Sequence, residues 1–179
     1  MIKKITQIVV LVFIVCALAS CATPYTSGKR VSQAEKSQIR QAEKLIQEEQ
    51  YQEAASIFWN LSENKPSPQR EALQLRAAEA VLHPQTKLQA QQYLGAIDEK
   101  VLTQDLLVRK RVATAELKLL NGQPQLALDV IPESLINASP KYKPHVLAVR
   151  AKALQSAQQI RESIETRIAL NPLLTNKEQ

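Results

Sequence analysis

The sequence contains few of the residues that form turns, aromatic cores and reactive sites. Its 179 residues include three glycines, two cysteines, two histidines and only 4% aromatic residues. Alanine, leucine, glutamine, glutamate and lysine are common instead, and these residues favour helices over strands. A chain of this length and composition predicts one all-α domain preceded by a short leader.

The sequence also lacks the motifs that most catalytic and cofactor-binding sites require. It has no H-E-x-x-H, no C-x-x-C, no G-x-S-x-G and no phosphate-binding glycine loop. His83 and His145 are interpreted as structural or surface residues. The acidic pair Glu48-Glu49 lies on a solvated helix face without the facing partner that acid–base catalysis needs. We therefore expect that the chain is not an enzyme and uses no cofactor or metal.

Residues 1–20 have the organisation of a secretory leader. Lys3 and Lys4 form a short basic region, and residues 8–18 form a continuous apolar run. That run is too short to span a membrane, but its length is typical of a signal peptide. We therefore predict that residues 1–20 are not part of the folded domain.

The end of this run resembles the lipobox of bacterial lipoproteins, in which an aliphatic residue and two small residues precede a cysteine. The matching residues are Leu18, Ala19, Ser20 and Cys21. The resemblance implies that a diacylglycerol is attached to the sulfur of Cys21, that the leader is cleaved before it, and that the new amine is acylated. The alternative is an uncleaved signal anchor in which Cys21 has no role.

Lipidation has consequences for chemistry and location. Cleavage removes Cys16 and leaves Cys21 as the single, acylated cysteine, so no disulfide is expected. Several acyl chains on one residue anchor a protein firmly. The next residue is Ala22, whereas aspartate there is the usual retention signal for the inner membrane. We therefore expect a lipid anchor in the outer membrane, with the domain on the periplasmic side.

The charge of the chain does not indicate a nucleic-acid partner. Removing residues 1–20 deletes two of the 23 basic side chains and none of the 17 acidic ones, which leaves a net charge of +4. The run Arg109-Lys110-Arg111 has no interleaved aromatic residues. It is interpreted as a solvated helix face or as a contact for anionic polymers of the cell envelope.

The mature chain divides into three parts. Residues 21–31 have no apolar period and are predicted to form a flexible tether, residues 32–174 a helical domain, and residues 175–179 a polar tail. Apolar periodicity predicts eight helices at about 33–49, 52–62, 68–82, 86–97, 104–120, 124–131, 143–156 and 160–170. Thr103 is a predicted N-cap, and Asn121-Gly122 is a predicted left-handed helix stop.

The predicted helices pair into hairpins, and the second helix of each hairpin carries an apolar pattern that repeats along the chain. Four residues are separated by 36, 37 and 37 positions, and each is followed by an apolar residue four positions later. The four are Ala54, Ala90, Ala127 and Ile164, and the residues that follow are Phe58, Leu94, Ile131 and Ile168. The pattern also places Leu88, Tyr93, Ile97 and Leu126 inward. Trp59 lies beside it and is interpreted as a partly covered lid on the next helix, with a ligand platform as the alternative.

This period resembles the period of about 34 residues in tetratricopeptide repeats. Residues 42–66 match that family best, through Ala42, Tyr51, Ala54, Phe58 and Pro66. One such hairpin cannot bury its apolar face alone, whereas several stacked copies can. The sequence therefore predicts a tetratricopeptide-like α-solenoid of about four helical hairpins.

The lipobox, the tether, the four hairpins and the closing segment 168–178 together resemble the N-terminal domain of the LpoA family, the outer-membrane lipoprotein activators of class A penicillin-binding proteins. The resemblance covers residues 21–179. Its most specific parts are Asn121-Gly122-Gln123-Pro124 and Pro172-Leu173-Leu174. In that family, a larger periplasmic-binding-protein-like domain follows this exit and contacts the synthase.

The resemblance implies a non-enzymatic factor in peptidoglycan synthesis, whose partner is a class A penicillin-binding protein or another cell-wall synthesis protein. Since the chain stops at the family's domain junction, it is expected either to be a truncated product or to act through its helical domain alone. The alternative is a generic scaffolding lipoprotein in outer-membrane, secretion or pilus assembly. The sequence does not predict the oligomeric state.

Overall fold

The computed structural model describes residues 32–175, and within them every regular element is helical. The helices are α1 (Gln33–Gln47), α2 (Tyr51–Ser62), α3 (Gln69–Ala80), α4 (Lys87–Ala96), α5 (Gln104–Leu120), α6 (Pro124–Val130), α7 (Lys143–Ser156) and α8 (Ile160–Thr175). Short 3-10 turns lie at Glu99–Val101 and Glu133–Asn137. The predicted all-α class is confirmed for this part of the chain.

Each helix packs against the next helix in the chain. The short connections within α1/α2, α3/α4, α5/α6 and α7/α8 make each pair a helical hairpin. We call α1, α3, α5 and α7 the first helices and the others the second helices. The first helices α3 and α5 also contact each other directly, and so do α5 and α7. Stacking of neighbouring hairpins in this way is consistent with an α-solenoid.

Three of the four hairpin turns share one backbone conformation. Each has a residue with positive φ: Glu49 (60°), Gly122 (69°) and Gln158 (62°). The amide of the next residue donates to the carbonyl five positions earlier, as Gln50 does to Leu45, Gln123 to Lys118 and Gln159 to Leu154. This is the Schellman arrangement. The predicted stop at Gly122 is confirmed, and the other two turns form without the glycine that would have revealed them.

Helix α5 belongs to two cores. Leu106, Ala113 and Leu117 pack in a cluster with α1 to α4, whereas Val108 and Val112 pack with α6 and α7. Its N-terminus is capped as predicted, because the amide of Leu106 donates to the Thr103 hydroxyl at 3.4 Å. Helix α5 is therefore covered on more than one face.

The last hairpin corrects the predicted repeat. Ser163, and not Ile164, is the buried residue of α8 that corresponds to Ala54, Ala90 and Ala127, which makes the separations 36, 37 and 36. Its hydroxyl donates to the Ala151 carbonyl at 2.9 Å, so a small polar side chain is satisfied at the contact with α7. The inward placement of Ile164 and Ile168 was wrong, because both are more than half exposed.

Two other inward placements were also wrong. Leu88 is 73% exposed, since it lies two positions before Ala90 and so points roughly 200° away around α4. Leu126 is exposed as well, and Leu128 is buried in α6 instead. The predicted end of α8 near residue 170 was wrong too, because Pro172 lies within that helix.

Replacement of Phe58 by alanine tests the assignment of the core. Phe58 is fully buried in the core formed with α1 to α4. Phe58→Ala should therefore lower the free energy of unfolding by about 3–5 kcal/mol. Leu88→Ala removes an exposed side chain and should change it by less than about 0.5 kcal/mol. Urea unfolding followed by circular dichroism measures both, and equal losses would contradict the assignment.

The glycines provide a second test, because an added Cβ meets no atom within 4 Å at Gly95 or at Gly122. Gly122 has φ +69°, so Gly122→Ala should destabilise the protein by about 1–2 kcal/mol. Gly95 lies within α4, so Gly95→Ala should stabilise it by about 0.5–1 kcal/mol. Thermal unfolding of both variants checks the signs, and the same sign for both would show that the turn conformation is not the cause.

Candidate interaction surface

The first helices are joined by a series of ion pairs, which we call the ion-pair ladder. In each pair, an acid on one first helix contacts a base on the next one. The pairs are Glu43–Arg76 at 2.7 Å, Glu79–Arg109 with Nε to Oε1 at 2.5 Å, and Glu116–His145 at 3.4 Å. The ladder therefore runs from α1 through α3 and α5 to α7.

The ladder lies at the surface but is fixed by packing. The Arg76 guanidinium lies 4.4 Å from the centre of the Phe58 ring, so it contacts both the core and Glu43. Arg109 donates to the two carboxylate oxygens of Glu79 from Nε and Nη2. This two-point contact fixes the orientation of the guanidinium as well as its distance from the carboxylate. Acids and bases alternate along the ladder, so the charges of its members largely offset one another. It can position neighbouring helices and still remain accessible to a partner.

His145 makes the last pair sensitive to pH. Its hydrogen bond to Glu116 raises the pKa of His145 above the usual value of 6.5, although burial acts in the opposite direction. The charge of Glu79 also favours the protonated imidazole, whereas the charge of Arg109 opposes it. The two adjacent pairs of the ladder are therefore electrostatically coupled.

The basic run on α5 has an internal role. Arg109 belongs to the ladder, and Lys110 is buried. The Lys110 ammonium donates to the Ile97 carbonyl at 2.8 Å and pairs with Glu99 at 3.1 Å, which ties the turn after α4 to α5. The interpretation of Arg109 and Lys110 as a solvated face was wrong, because both side chains reach back over neighbouring elements.

Aromatic contacts lie beside the second helices. Trp59 stacks on Tyr93 with the ring centres 4.5 Å apart, and Gln89 donates to the Tyr93 hydroxyl at 3.1 Å. Trp59 is partly covered, as predicted, and its ring lies on Tyr93 of α4. Tyr51 stacks on His83 with the ring centres 5.0 Å apart, so His83 contributes to the contact between α2 and the turn after α3.

The burial of two carboxylates was not predicted from the sequence. Glu35 pairs with Lys65 at 2.5 Å, which links α1 to the connection after α2. Glu71 is almost fully buried, and Arg70 donates to its Oε1 from both Nε and Nη2, at 3.1 and 3.0 Å. Both acids lie in the first turn of their helices, where negative charge is favourable. Their positions indicate structural roles.

The predicted lipidation residues Leu18, Ala19, Ser20 and Cys21 lie outside the described residues, so their role stays a prediction. Within residues 32–175, no group of three or more histidine, cysteine, aspartate or glutamate side chains is arranged to hold a metal ion. In the same residues, no helix has the length and apolarity to cross a bilayer.

The pH sensitivity of the ladder can be measured directly. Since the pKa of His145 is raised, the Glu116–His145 pair contributes fully below about pH 6.5 and is lost as the pH rises through the folded pKa. His145→Gln should lower the melting temperature by about 1–3 °C near pH 5.5 and by almost nothing near pH 8.5, as expected of a half-exposed pair.

Glu116→Gln is the matched control for this measurement. It should reproduce the loss at low pH, and the double variant should lose no more than either single variant, because the two side chains form one interaction. Equal losses for His145→Gln at the two pH values would mean that the pair does not stabilise the fold through charge.

Comparisons of this chain with models of protein families, with curated proteins and with solved structures found no match. Its function therefore has to be inferred from its own residues and geometry.

Proposed function

We propose that this chain is a non-enzymatic outer-membrane lipoprotein that regulates peptidoglycan synthesis, as an activator of or a scaffold for a class A penicillin-binding protein. The observation that carries the interaction role is the ion-pair ladder, which aligns four first helices in one surface. The lipobox residues Leu18 to Cys21 support the membrane anchor. The sequence resemblance to the LpoA family supports the class of partner.

The helical stack is assigned to a tetratricopeptide-like arrangement. Three features support this assignment: hairpins that repeat every 36 or 37 residues, a small buried residue in each second helix, and direct contacts between first helices. The small residues allow the two helices of a hairpin to approach closely. Proteins built in this way present an extended surface lined by one helix of each repeat, which suits the binding of another protein.

In this role the chain acts through positioning. The lipid at Cys21 holds the chain at the outer membrane, with the helical domain on the periplasmic side. The first helices then contact the synthase. Because the ladder side chains are already paired with one another, affinity would depend on exposed side chains between the pairs.

The anchor is tested by labelling the full chain in cells with a palmitate analogue and separating inner from outer membranes. Wild-type chain should carry the label and sediment with the outer membrane. Cys21→Ser should lose both properties, because the acylated sulfur is removed. Cys16→Ser is the matched control and should keep both, and labelling that depends on Cys16 would contradict the proposed anchor.

The partner is tested with purified full-length lipoprotein and a class A penicillin-binding protein, by following glycan polymerisation and cross-linking. Wild-type chain should bind the enzyme and raise its rate. Ala148→Arg adds a bulky charge at an exposed position one turn from His145, so it should weaken binding. Gln92→Arg adds the same side chain on α4 and should have no effect. Capture of outer-membrane, secretion or pilus components without any wall synthase would favour the general scaffold.

A further inference from the structure

Helix α8 has an exposed apolar stripe. Ile160, Ile164 and Ile168 are 54%, 53% and 64% exposed, and their spacing of four residues places them along one side of the helix. The side of α8 that packs on α7 is different, since its buried residue is Ser163. The stripe is therefore not needed to hold α8 on its own hairpin.

The repeat shows that Ile164, in the middle of the stripe, is exceptional at its position. Ile164 directly follows Ser163, so it corresponds to Ala55 in α2, Gln91 in α4 and Leu128 in α6. Ala55 and Leu128 are buried and apolar, whereas Gln91 is exposed and polar. In α2, α4 and α6, this position is therefore apolar where it is buried and polar where it is exposed. In α8 it is both apolar and exposed, which is the combination that marks a binding surface.

We propose that α8 is a dimerisation helix, whose isoleucine stripe packs antiparallel against the same stripe of a second copy of this chain. The stripe is symmetric about its middle, because Ile160 and Ile168 each lie four residues from Ile164. A two-fold axis near Ile164 therefore brings Ile160 of one copy close to Ile168 of the other. Such self-complementarity is what an isologous interface requires.

The charges beside the stripe fit this partner. Arg161 and Glu165 lie along one edge, with side chains 88% and 63% exposed, and they pair with each other at 3.2 Å in the single chain. Two-fold symmetry places the same edge of both helices together. Arg161 of each copy then lies within reach of Glu165 of the other, which gives two reciprocal ion pairs. An unrelated helix would have to supply this pattern separately.

The size of the stripe limits the strength of the dimer. A stable interface buries about 800 Å² from each partner, and three half-covered isoleucines with their flanking charges provide less. We therefore expect a dimer with a dissociation constant on the order of 10 μM or weaker. This interface does not depend on the identity of the synthase or on the first-helix surface.

Cysteine cross-linking of the full chain tests the dimer in isolated membranes. Ile164→Cys places a thiol near the two-fold axis and should give a disulfide-linked homodimer on mild oxidation. Glu162→Cys lies on the opposite side of α8 and should not, and the wild-type chain gives the background from its own cysteines. Homodimers with Glu162→Cys, no homodimer with Ile164→Cys, or linkage of Ile164→Cys only to other proteins would each overturn the proposal.

Charge reversal on the Ile164→Cys background tests the pairing itself. Arg161→Glu and Glu165→Arg should each lower the association constant by roughly tenfold, because each puts like charges opposite one another. Mixing the two single variants, or combining both changes in one chain, should restore cross-linking. Circular dichroism confirms that each variant is folded. Losses that mixing does not rescue would mean that these residues do not meet across a two-fold interface.

Discussion

The close approach of the two helices in each hairpin is the contact on which the rest of the structure depends. It occurs at Ala54, Ala90, Ala127 and Ser163, none of which is more than 4% exposed. A larger side chain at these positions would push the helices apart. The core side chains around Phe58 would then no longer be closely packed. These small residues recur every 36 or 37 positions, one in the second helix of each hairpin.

Helix α5 connects the halves of the stack. It contributes to the core beneath α1 to α4 and to the core shared with α6 and α7, and it supplies one member of two ladder pairs, Arg109 and Glu116. Lys110 adds a buried hydrogen bond from its ammonium group to the Ile97 carbonyl, in the turn after α4. In such a stack each hairpin contacts mainly its neighbours. The free energy of unfolding is therefore approximately the sum of the contributions of the individual hairpins and of the interfaces between them. The ladder and α5 make adjacent hairpins depend on each other.

The molecule offers two surfaces with different chemistry. The first-helix surface is polar, and its geometry is fixed by ion pairs that cross from one hairpin to the next. The α8 stripe is apolar and narrow, and its flanking charges are arranged to be complementary to themselves. We propose the first for a separate protein partner and the second for another copy of the chain. Both uses are compatible, because the two surfaces share no residues.

The sequence alone determined the helical class, the positions of most helix ends, the Gly122 stop and the approximate period, because these depend on local propensity and on contacts within a few residues. It also carries the lipobox prediction at Cys21, which depends only on linear order. The tertiary structure decided which side of each helix is covered. Ser163 is buried because α7 offers it a carbonyl, Lys110 because the turn after α4 does so, and Leu88 and Ile164 are exposed because no neighbouring helix covers them in the single chain. Whether a side chain is buried depends on the neighbouring helix as well as on the residue itself. The apolar pattern of a single helix therefore does not predict it.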